Sequence, residues 1–117
     1  MRTMPKKSEH MLEPYSLPVE THAALLALAQ ESDVLFIGEI HGTQEIPRCV
    51  ATLLPSLAGL GYQALGLEIP RFVQSGLQRY LRKTNAAVPS FFAKPWQDGR
   101  GSQELLSLAQ RAAETGF

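Results

Sequence analysis

The residues of this chain that could do chemistry gather in one short stretch, FIGEIHGTQEIP, from Phe36 to Pro47. Within five positions it presents Gly38, Glu39, His41 and Gly42. A carboxylate two residues from an imidazole is a pairing suited to proton transfer. The imidazole can take a proton from water, while the carboxylate orients the ring and stabilises its cation. A second carboxylate, Glu68, lies in LGLEIP, where apolar neighbours enclose it. A carboxylate in such surroundings needs a partner or must keep its proton. One imidazole and two carboxylates also form a competent set for a divalent cation, which would supply an activated water.

The elements that must position these residues follow from apolar spacing. VETHAALLALAQES (Val19 to Ser32) is rich in Ala and Leu, has no interior Gly or Pro, and reads as a helix. DVLFIG is a short continuous apolar run, the pattern of a strand buried on both faces. Ile46, Val50, Leu53, Leu54 and Leu57 recur at helical spacing; Pro47 suits a first turn, and Pro55 should kink or end that helix. QALGLEI (Gln63 to Ile69) reads as a second buried strand. Phe72, Val73, Leu77, Tyr80 and Leu81 fit one face of a third helix. A loop with Phe91, Phe92 and Trp96 as an apolar plug leads to a last helix, Gln103 to about Thr115, with Ser102 as cap and Gly116 after its end.

Strand, helix, strand with a crossover of this length implies a parallel pair joined by a right-handed connection. The fold class expected is therefore α/β, three layers on a mostly parallel sheet. Residues 1–18 read as a flexible leader, and residues 19–117 as a single domain. Two strands make a poor sheet, and ETGF is where a next strand would begin, so the chain reads as the N-terminal part of a larger α/β domain. Ligands of open parallel sheets gather at the carboxyl ends of the strands. Glu39 and Glu68 fall at two such ends, about 4.8 Å apart if the strands are neighbours. His41 leaves the same turn as Glu39, so three groups converge. Each also has a plainer role: Glu39 as a solvated loop residue, His41 as a helix-start residue, Glu45 as a complement to the helix dipole. It is the joint placement that favours function.

FIGEIHGTQEIP followed by LGLEIP resembles the paired signature of the superfamily that holds the erythromycin esterases, the haem-binding ChaN-like uptake proteins and the Tiki-type proteases. A Gly-Glu-x-His-Gly turn follows the first core strand in such proteins, and a Leu-Glu pair ends the next. The resemblance runs from about Val34 to Ser102 and includes WQDGRGS. It implies that Glu39, His41 and Glu68 are the site residues, of a hydrolase acting on an ester, lactone or amide. It also implies that Arg48 stands in for the basic residue commonly found soon after the His-Gly pair, where this chain has Gln44. Arg100 is a second candidate for binding a substrate carboxylate, or for pairing with Asp98. Two alternatives stay open: haem- or iron-related uptake, with His41, Tyr62 or Tyr80 as haem contacts, and an inactive truncated fragment. A divalent metal held by Glu39, His41 and Glu68 is the cofactor variant implied by the Tiki-type relatives.

The partner that a hydrolase implies is a small-molecule substrate, and composition bears on the other classes. Lys+Arg and Asp+Glu number 11 each, so no overall field draws a polyanion, and nucleic acid is excluded as a default partner. No apolar run approaches the roughly 20 residues of a membrane span. The single cysteine, Cys49, suits a cytoplasmic, reducing setting and a core-facing place in the second helix. An edge strand left unpaired predicts aggregation, or a homodimer formed through the sheet.

Overall fold

The computed structural model describes residues 16–83, 85–93 and 100–117. Among the described residues four helices form close to where the apolar spacing puts them: α1 (Val19–Gln30), α2 (Glu45–Gly59), α3 (Gln74–Arg82) and α4 (Gln103–Thr115). Short 3-10 turns occupy Arg71–Val73 and Ser90–Phe92. The leader up to and including Tyr15, Trp96, and Asp98 as a partner for Arg100 fall outside the described residues.

Helix α2 is the hub, because its apolar residues cover a wide arc. At 100° per residue the buried set from Leu53 through Leu54 and Val50 to Ala51 spans about 160°. One side of that arc, Val50, Ala51 and Leu54, packs into the main core with Leu105, Leu106, Leu108 and Ala109 of α4. Its other side, Leu53 and Leu57, meets Ala29 of α1 in a smaller cluster. Pro55 does not end this helix: α2 runs on to Gly59. The proline sits on the exposed side. An interior proline costs about 3 kcal/mol, whereas burying each of Leu53, Leu54 and Leu57 returns about 1.5–3 kcal/mol.

Helix α4 has the ends its sequence predicts. Ser102 Oγ accepts a hydrogen bond from the Leu105 amide at 3.2 Å. Gly116 closes the other end in the left-handed region, φ 106°. Phe91 and Phe92 form the expected plug, edge to face at 5.3 Å between ring centres, and the Gln103 side-chain amide donates to the Phe92 carbonyl. In the third helical segment Val73, Leu77 and Tyr80 are buried as expected, but Phe72 lies in the preceding 3-10 turn and points to solvent.

The principal correction concerns the sheet. Among the described residues the structure is helical, with no strand and no sheet, so the three-layer α/β architecture expected from the sequence is not what forms. The two segments taken for strands flank α2 without pairing: no backbone hydrogen bond joins 33–38 to 63–69. Each buries only one side. Leu35 packs on the α1–α2 cluster, while Phe36 is 90% exposed; Leu65, Leu67 and Ile69 pack on the main core, while Gly66 and Glu68 face out. A continuous apolar run signals burial but not what covers it, and here helices α1, α2 and α4 provide the cover without a ladder.

Candidate functional site

The connection into α2 is built by a tight turn. The Ile40 carbonyl accepts from the Thr43 amide at 3.4 Å, and Gly42, the third of the four residues, has φ 81°. A turn with positive φ at its third position is the type II pattern, which glycine adopts without steric cost. His41 therefore occupies the second position, at the bend. The Thr43 hydroxyl donates to the same Ile40 carbonyl at 2.8 Å. Along this approach Glu39 and His41 turn inward while Ile40, between them, is 75% exposed.

Glu68 arrives from the far side of α2, on the segment anchored by Leu67 and Ile69 in the core. Its carboxylate meets the ring that the turn presents. His41 Nε2 stands 2.9 Å from Glu68 Oε2 and 3.6 Å from Glu39 Oε1. The three side chains thus converge as the sequence suggested, although no sheet edge brings them together. Their environment is unequal: the side chains of His41 and Glu39 are 25% and 22% exposed, that of Glu68 72%. The corner is open to water on the Glu68 side and backed by protein on the other.

Both carboxylates approach the same ring nitrogen, and this limits the chemistry. Nε2 can carry a single proton, and the 2.9 Å contact directs it to Glu68. Nδ1 then holds the lone pair. A second anionic oxygen 3.6 Å from Nε2 stabilises positive charge that arises in the corner, on the ring during proton transfer or on a bound cation. One ligand atom from each residue lies within 4.8 Å of the others, so the donor set fits a divalent ion with open positions for water.

The other candidates divide differently. Arg48 is half-buried on α2 and Arg100 half-buried on the turn before α4, while the ion pairs of the trio run among its own members. The Tyr62 hydroxyl lies 2.7 Å from the Ala29 carbonyl and 2.9 Å from that of Ser32, which holds the end of α1. Tyr80 is buried and accepts from the Gln110 amide at 3.2 Å. Both tyrosines named as haem contacts are thus engaged in structural bonds, leaving His41. Cys49 is half-buried on α2. Among the described residues no helix is long and apolar enough to cross a membrane. Comparison with family models, curated proteins and solved structures found no match to this chain.

Proposed function

We propose that the chain is a hydrolase of esters, lactones or amides whose working corner is Glu39, His41 and Glu68. The observation that carries this reading is the closure of two carboxylates on one imidazole nitrogen, at 2.9 and 3.6 Å. Glu68 accepts the Nε2 proton and holds the ring, leaving Nδ1 as the base that takes a proton from an attacking water. The imidazolium formed there has two carboxylates beside it, so charge develops where opposite charge already stands. The resemblance of GEIHG and LGLE to the erythromycin esterase, ChaN-like and Tiki superfamily supports the same residues. Arg48 and Arg100 are the residues we assign to an anionic group on the substrate.

A second reading rests on the three ligand atoms lying within 4.8 Å of one another: Glu39, His41 and Glu68 hold a divalent cation. Such a cation would lower the pKa of a bound water and so supply the nucleophile. The two readings place different species at Nε2, a proton in one and a metal in the other.

The test is hydrolysis of a panel of aryl esters and lactones by wild type, His41→Ala and Glu68→Ala, with and without chelator. Hydrolysis lost in both variants and indifferent to chelator supports proton transfer. Chelator-sensitive hydrolysis restored by one divalent ion supports the cation. Variants that keep wild-type rates on an active substrate overturn both.

A further inference from the structure

The threonine that follows the His-Gly pair is the residue just before the N-cap of α2, Gln44. At the N-cap itself a Thr hydroxyl ordinarily accepts a hydrogen bond from a first-turn amide, which is worth about 1 kcal/mol. Here α2 begins on Gln44 in helical conformation and has no side-chain cap hydrogen bond. The Thr43 hydroxyl turns back and donates to the Ile40 carbonyl at 2.8 Å. The backbone bond that would close the same turn is long, 3.4 Å from the Thr43 amide to that carbonyl. The side chain therefore supplies the shorter of the two bonds across the bend that presents His41.

We infer that Thr43 is a positioning residue: its hydroxyl locks the turn from Ile40 to Thr43 and so fixes the His41 ring between Glu39 and Glu68. The inference rests on the reading of these three residues as the working corner. Its physical basis is leverage. His41 is the second residue of the turn, so a change in the turn's closure swings the whole imidazole, whereas Glu68 is held by core contacts of Leu67 and Ile69 on another segment. Loss of the lock moves the ring away from the carboxylates it meets. The hydroxyl is the needed part of the side chain, because both serine and threonine can donate to the carbonyl and valine cannot. Valine keeps the shape and the β-branch, so the substitution isolates the hydrogen bond.

The experiment reads the ring itself, independently of catalysis. Nitrogen-15 chemical shifts of the His41 ring, in chelator-treated protein, tell which nitrogen carries the proton. In wild type the proton resides on Nε2, held by Glu68. Thr43→Ser keeps that distribution. Thr43→Val shifts it towards the averaged form, with the proton ratio between the nitrogens changing roughly five-fold, the equilibrium equivalent of one ordinary hydrogen bond. Thermal unfolding of each variant is measured alongside, and a near-unchanged midpoint separates positioning from general loss of structure. Wild-type shifts in Thr43→Val, or an averaged ring in Thr43→Ser, overturn the role of the hydroxyl. An averaged ring already in wild type overturns the assembled corner, and with it the reading on which the inference stands.

Discussion

His41 Nε2 and Glu68 Oε2 stand 2.9 Å apart, although 27 positions separate the two residues along the chain. The helix between them, α2, leaves from the His41 turn and returns its chain at Gly61, so the segment bearing Glu68 runs back to the place where the helix began. The pair is a product of that return and of the core packing of Leu65, Leu67 and Ile69 that sets its depth.

Glu68→Gln removes the charge and keeps the shape. Because the Glu68 side chain is mostly exposed, its folding free energy should change by less than about 0.5 kcal/mol. If the proposed hydrolase reading holds, activity should fall by about 10²–10⁴, the usual worth of assisted proton transfer. Measuring kcat/KM beside thermal unfolding checks both; equal activity would sink the role of Glu68.

Gly42→Ala places a Cβ on a residue with φ 81°. A destabilisation of about 1 kcal/mol is expected, with Gly42→Asn milder because asparagine tolerates that region better. Urea unfolding of the two variants gives the comparison, and an Ala variant as stable as wild type contradicts the turn.

Phe36 and Phe92 should answer mutation oppositely. Phe36, an exposed residue on an unpaired segment, should lose under about 0.5 kcal/mol as Phe36→Ser. Phe92, 1% exposed in the main core, should lose about 3–5 kcal/mol as Phe92→Ala. A strand buried on both faces would make Phe36 as costly as Phe92, so the pair of unfolding curves distinguishes the helical fold from a sheet.

Tyr62→Phe deletes the hydroxyl that reaches the Ala29 and Ser32 carbonyls. The loss should be about 1 kcal/mol, expressed chiefly as faster amide hydrogen exchange at the end of α1. Unaltered exchange there would show that the hydroxyl does not hold the helix.

Tyr80 supplies a pH dependence with a definite sign. Burial pushes its phenol pKa above the ordinary ~10, and the hydrogen bond from Gln110 opposes this in part. The folded chain therefore keeps the proton longer than the unfolded chain. This contribution is fully present below about pH 10 and is lost as pH rises through the folded value. Denaturant unfolding between pH 8 and 11 should show falling stability that Tyr80→Phe flattens.

Much of this molecule was legible in its sequence because much of it is local. The Ser102 cap and Gly116 terminus of α4 depend on residues within one turn, and the apolar spacing of α2 depends on helix geometry alone. The trio Glu39, His41 and Glu68 was equally legible as a set of chemically apt residues. What covers an apolar run is not local. DVLFIG and QALGLEI carry the composition of buried strands, yet each buries one side against helices and pairs with no strand among the described residues. Sheet formation requires a partner at a matching register, and only the tertiary structure decides whether one is present. The same holds at the site. The sequence by itself determined which groups could do chemistry. Only the return of the chain after α2 decided that Glu68 reaches the same nitrogen as Glu39, and only the structure shows the Thr43 hydroxyl closing the turn ahead of α2.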